Sequence, residues 1–213
     1  MKGNGWIEAV VFYEELQVRG KVKKLGEDPS TGIVDWKVES RLIVPISSAR
    51  QFFIRQNGRT YLAEVVYQEG DVVSTTAPVR RYDPRFNRKN LRVTTSLSSP
   101  VEAFISDYYS VEPEEKKYRV LDVSEFGISV VAPADDSFKI DDDLIVSLVL
   151  SYGGKKVSFT TKGKVVRLER IRDGVERVSI FFPDISPKNR DLLAGYIISR
   201  QREIIQNIQR VKW

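Results

Sequence analysis

The chain reads as a mainly β protein made of small barrels and finished by a C-terminal α-helix. Three observations predict this. Turn dipeptides recur between runs of β-branched and aromatic residues, at Asn57-Gly58, Gly153-Gly154 and Asp173-Gly174. The flanking runs alternate in polarity with period two, as in Val178, Ile180 and Phe182. A sustained helical pattern occurs only in the tail. Many short strands with regular turns favour barrels over a βαβ architecture.

The elements follow in order. Residues 1–80 form an N-terminal β region. Its apolar stretch Trp6–Phe12 is too short to span a bilayer. Around Asn57-Gly58, residues 51–56 and 59–68 read as a hairpin. Residues 81–92 are a basic connector in which Pro84 forbids a central strand position and biases Asp83 towards extended geometry. The domain boundary is placed there, with 93–213 as the second β domain. Within that domain, residues 164–171 pair with 175–182 around Asp173-Gly174. Ser186-Pro187 then reads as an N-cap followed by proline at the first helical position, opening a helix over about 187–213. Leu193, Ile197, Ile204, Ile208 and Val211 recur at helical spacing, interrupted by the polar pair Arg200-Gln201. The first half of this helix is expected to pack on the barrel, and the second half to meet the N-terminal domain or another chain.

Composition narrows the function. The 213 residues, 41% of them hydrophobic, suffice for one large or two small cores. No leader pattern or long apolar run is present, so a soluble, cytoplasmic protein without membrane insertion is expected. Cysteine and histidine are both absent. That removes Ser-His-Asp and Cys-His constellations and ordinary zinc sites, and points away from an enzyme. No cofactor or metal is expected. Asp141-Asp142-Asp143 lacks the spacing of a calcium loop and reads as a solvated turn before a strand beginning at Leu144.

The net charge is +5 for the whole chain and also for Arg80–Arg92 alone, where six cations face a single carboxylate, Asp83. Within it, Arg88-x-x-x-Arg92 presents two planar guanidinium forks suited to phosphate oxygens or a purine edge. Taken alone, the segment reads better as a solvated basic linker. Thirty residues on comes Asp122-Val-Ser124-Glu-Phe126-Gly127. As a bare turn, its Asp and Ser would bond nearby backbone N–H groups and Gly127 would take a positive φ. As a site, Asp122 would accept the N1–H and N2–H₂ donors of a guanine, Ser124 would add a hydroxyl, and Gly127 would let the ring approach the backbone.

An Arg-x-x-x-Arg arm followed at this distance by Asp-x-Ser-x-x-Gly resembles the PilZ family of cyclic di-GMP receptors, from about Arg85 to the end of the C-terminal helix. The run Gly163-Lys-Val-Val-Arg167 is similar to the family's barrel end. The resemblance implies a six-stranded C-terminal barrel and a ligand-binding set of Arg88, Arg92, Asp122, Ser124 and Gly127, with Arg85 as a further candidate. Phe126 stands where members often carry another glycine, and Asn87 where members that hold two stacked ligands carry another arginine. The latter leans towards a single bound ligand. Residues 1–80 before such a barrel are similar to the N-terminal split-barrel-like domain of two-domain, YcgR-like flagellar brake proteins. That likeness implies a receptor whose domain orientation responds to cyclic di-GMP and which acts on a protein partner, such as a flagellar motor component, as a monomer or homodimer. The alternatives are a single-stranded nucleic-acid-binding barrel, less suited to charge confined to one connector, and a PilZ-like adaptor that binds no nucleotide. The arm is expected to be flexible and extended by self-repulsion. Arg88 and Arg92 are expected to be exposed, so that losing either barely changes stability.

Overall fold

A computed structural model describes residues 5–88, 90–111 and 114–210. The chain divides into two compact units, Met1–Arg88 with Ile204–Trp213, and Lys89–Glu203. The division falls inside the basic connector, after the first arginine of its motif.

The N-terminal unit contains β1 (Trp6–Tyr13), β2 (Leu16–Asp28), β3 (Ile33–Val38), α1 (Ser40–Ala49), β4 (Gln51–Gln56), β5 (Arg59–Glu69), β6 (Val72–Thr75) and β7 (Val79–Arg80). The sheet runs β4-β1-β2-β3-β6-β5, and β5 pairs back onto β4, which closes a six-stranded antiparallel barrel. The expected hairpin is β4–β5, with Asn57 and Gly58 both at positive φ, as its two-residue turn demands.

The helix α1 was not expected. Its sequence holds Pro45 and several β-branched residues, which locally favour extended chain. Burial overrides that preference: Leu42, Ile43 and Ile46 join Trp36, Phe52 and Val73 in one core. Gly20 makes the approach possible, because a Cβ there would lie 2.8 Å from Leu42 Cγ. A second, smaller apolar cluster sits on residues of opposite strand parity. Val10, Phe53 and Leu62 are covered by Phe12 and by Phe86 from the connector.

The C-terminal unit contains β8 (Arg92–Thr94), β9 (Val101–Asp107), β10 (Lys116–Ser124), β11 (Gly127–Pro133), β12 (Asp143–Tyr152), β13 (Lys155–Arg172) and β14 (Val175–Phe181). The pairings β11-β14-β13-β12-β9-β10 return from β10 to β11 and close a second six-stranded ring, with β8 added beside β10. The alternation in β12 buries Leu144, Val146, Leu148 and Leu150. The acidic run lies at the mouth of this strand, with Asp141 exposed at φ 74° and the Asp142 carboxylate accepting from Lys139 N–H at 2.7 Å.

The tail helix α2 spans Pro187–Arg210, capped by Ser186 Oγ, which accepts from Asn189 N–H at 3.2 Å. Leu193, Tyr196 and Ile197 are buried. Arg200 does not interrupt the buried stripe but belongs to it, only 4% exposed, donating from Nε to the Thr94 carbonyl at 3.0 Å. Ile204 is buried and Ile208 half-buried, while Val211 lies outside the described residues. Among the described residues, no helix is long and apolar enough to cross a membrane.

Candidate functional site

The connector is pinned rather than free. After Asp83, at φ −120° and ψ 120°, a single 3₁₀ turn covers Pro84–Asn87. Its Phe86 ring packs edge-on against Phe12 and Phe53, with centroids 5.0 and 5.3 Å away. Arg85 forks onto the Asp83 carboxylate at 2.7–3.1 Å and lies 4.1 Å above the Phe12 ring. Burial pushes the Asp83 carboxyl up, but the Arg85 hydrogen bonds and charge outweigh it and hold the group below its ordinary value. Thus, where a self-repelling arm was expected, Arg85 is compensated by Asp83 and the connector's aromatic residue is docked. Arg85 is committed to that docking.

Arg88 follows, ion-paired with Glu15. Glu15 sits with Glu14 in the β1–β2 turn, at φ 66° and 48°. Such positive φ values are uncommon for residues with a Cβ.

The second motif is shaped by one irregularity. Tyr118 and Val120 of β10 face the core, so strict alternation would send Asp122 there too. A register shift between Val120 and Asp122 absorbs Leu121 as a bulge. Beyond it, Val123 faces the core while Asp122 and Ser124 turn to the outer side. Pairing with β8 sets Thr94 opposite Asp122 and Arg92 opposite Ser124, so the motif residues share one face. Arg92 Nη1 lies 3.3 Å from Asp122 Oδ1. On the other side of the carboxylate, Arg177 of β14 donates to Oδ2. Asp122 itself is only 2% exposed.

Gly127 departs from the bare-turn reading. Its φ is not positive; the residue is glycine because a Cβ would stand 2.2 Å from the Ile180 carbonyl oxygen of β14. The hairpin end is tied by Ser124 Oγ donating to Gly127 O at 3.1 Å and Phe182 N–H donating to Phe126 O at 2.8 Å. Phe126 is half-buried, with the Arg190 guanidinium 5.8 Å above its ring.

Within the C-terminal unit, then, Arg92, Asp122, Ser124 and Gly127 come together. Arg88 is described with the N-terminal unit. Sequence reasoning missed Arg177, which looked like an ordinary solvent-facing position of an alternating strand. It also missed Arg200, whose bond to Thr94 holds the strand that carries Arg92. A cleft of about 510 Å³ elsewhere in the C-terminal unit, lined by Tyr109, Tyr118, Asp136, Phe138, Asp142 and Asp143 among others, contains none of the predicted site residues. Its carboxylates have the wrong sign for an anionic ligand. Among the described residues, no cluster of three or more acidic side chains is arranged to hold a metal ion.

The model of the PilZ domain family matches residues 79–199. An uncharacterized protein of Aquifex aeolicus is 23% identical over 92% of this chain and 88% of its own length. Among solved structures, YcgR from Escherichia coli in complex with c-di-GMP aligns with TM-score 0.48 and 15% identity, over 97% of this chain and 88% of that one. The Bacillus subtilis inhibitor of motility (MotI/DgrA) aligns with TM-score 0.45 and 13% identity, over 95% and 99%.

Proposed function

The chain belongs to the PilZ domain family, and on that premise we propose that it is a receptor for cyclic di-GMP. The carrying observation is the bulge in β10, which turns Asp122 and Ser124 onto the face that holds Arg92. A carboxylate there accepts a guanine's paired donors while the adjacent guanidinium takes a phosphate. Arg88, Arg92, Asp122, Ser124 and Gly127 are the binding set, with Arg85 holding the arm in shape. The ligand is taken up as a signal, with no cofactor and no chemistry performed on it.

Both arginines already hold carboxylates, so binding is an exchange of anions. Ligand phosphates displace Glu15 from Arg88 and relieve Arg92 of Asp122. Micromolar affinity corresponds to roughly −8 kcal/mol. Several charge-assisted contacts at about 1.5–3 kcal/mol each reach that value after the ordering cost is subtracted. Because Arg88 is tied to the N-terminal unit through Glu15, its re-pairing alters the orientation of the two domains and presents a new surface to a protein partner. A cytoplasmic component of the motility machinery, such as a flagellar motor protein, is the partner class proposed.

The test is a calorimetric titration with cyclic di-GMP, with a single-stranded oligonucleotide at two salt concentrations as control. Saturable heat with cyclic di-GMP near one ligand per chain is expected. Absence of heat and of any melting shift at saturating ligand, or tighter oligonucleotide binding with a steep salt slope, would remove the receptor assignment.

A further inference from the structure

Asp122 is nearly inaccessible, and a buried carboxylate stays ionised only with a counter-charge beside it. Arg92 at Oδ1 and Arg177 at Oδ2 both bring a guanidinium to it. They are not equivalent. Arg92 lies in the arm motif, and once its guanidinium turns to a ligand phosphate it leaves Oδ1. Arg177 lies on β14, one strand beyond β11. It reaches Asp122 diagonally across the row Asp122–Ser129–Ser179, where the two serine hydroxyls lie 3.3 Å apart. Serines in that row keep the path short and low, and Ser129 is fully buried.

We infer that Arg177 is the positioning residue of the guanine-reading carboxylate: it keeps Asp122 charged and oriented when Arg92 is drawn away by the ligand. A carboxylate offers about four lone-pair directions. Arg177 holds the carboxylate at Oδ2, and Oδ1, the oxygen Arg92 leaves, is directed to the N1–H and N2–H₂ edge of a guanine. Adenine carries an acceptor at N1 and no amino group at C2, so the same fixed carboxylate repels it. Arg177 thereby governs base selectivity without touching the base. This inference rests on the receptor assignment above.

The experiment is a double-mutant cycle read by calorimetric affinity for cyclic di-GMP and cyclic di-AMP, with melting midpoints in parallel. Wild type, Arg177→Met, Arg177→Lys, Asp122→Asn and the double variant Asp122→Asn/Arg177→Met are compared. Arg177→Met is expected to weaken cyclic di-GMP binding by about 10- to 100-fold and to shrink its advantage over cyclic di-AMP. Arg177→Lys should restore most of the advantage. In the Asp122→Asn background, Arg177→Met should change affinity by less than about twofold, since the residue acts through the carboxylate. The double variant removes the buried carboxylate together with its half-buried partner, so it keeps the cycle readable if Arg177→Met folds poorly. Losses that multiply independently, or equal weakening of both dinucleotides, would overturn the inference and leave the receptor assignment standing. A wild-type protein that binds neither dinucleotide would overturn both.

Discussion

Arg88 and Arg92 belong to one four-residue motif, yet their counter-ions differ in kind. Arg88 pairs with Glu15, on a turn, its side chain 20% exposed. Arg92 pairs with Asp122, 2% exposed and shared with a second arginine. An ion pair open to water is worth little and exchanges readily, because solvent replaces whichever partner leaves. A buried carboxylate offers no such freedom, because its charge must be balanced at every step. The comparison therefore separates, within the proposed binding set, an exchangeable ion pair at Arg88 from a fixed one at the strand end.

The largest effect belongs to the strand end. Gly127→Ala drives a Cβ into the Ile180 carbonyl and must push β11 from β14. It should destabilise the barrel by about 2–3 kcal/mol, read from denaturant unfolding, since this is overpacking against backbone. A loss below about 0.5 kcal/mol would show that the hairpin end yields easily and is not fixed at all.

Next comes the contrast between the arginines. Arg92→Ala removes a balancing charge from a buried carboxylate and should cost about 1–2 kcal/mol of stability. Arg88→Ala removes a half-exposed pair and should cost less than about 0.5 kcal/mol. Both should abolish cyclic di-GMP binding. Equal melting midpoints for the two variants would break the comparison. Of the expectation that both residues are exposed, Arg88 meets it while Arg92 is half-buried, and the two variants test whether both are thermally neutral.

Smaller still is the effect of the Arg88 counter-ion. Glu15→Gln should tighten cyclic di-GMP binding by about two- to fivefold, because the phosphate no longer competes with a carboxylate. Unchanged or weaker affinity would show that Glu15 is not the group displaced.

The smallest effect is on pH dependence. The folded-state value of Asp83 lies below its ordinary 3.8, so its contribution is complete above that value and fades as pH falls through the lowered one. Asp83→Asn should flatten that acid limb slightly, measured as the difference in unfolding free energy between pH 6 and pH 3. An unaltered limb would mean the Arg85 fork does little to hold the arm.

Much of this was legible in advance for identifiable reasons. The hairpins at Asn57-Gly58, Gly153-Gly154 and Asp173-Gly174 appear where their turns demand, since positive φ is a local requirement that local residues announce. The Ser186-Pro187 helix start is local in the same way. By contrast, α1 is a tertiary result: Pro45 and its β-branched neighbours favour extended chain, and only the core opened by Gly20 makes a helix of them. Arg177 was invisible because its role depends on two β-ladders and a bulge, none of which has a sequence signature. For Gly127 only the bare-turn reading, a positive φ, is not met. Its fold requires a close approach to β14, set by a residue fifty-three positions away rather than by its own φ.

The most direct test of the two-part site is a crystal structure of the chain with cyclic di-GMP bound. The expected result has Arg92 moved from Asp122 onto a phosphate, Asp122 facing a guanine's N1–H and N2–H₂, Arg177 still on Oδ2, and Arg88 released from Glu15. A complex in which the Arg88–Glu15 and Arg92–Asp122 pairs both persist, with the ligand seated elsewhere, would contradict it.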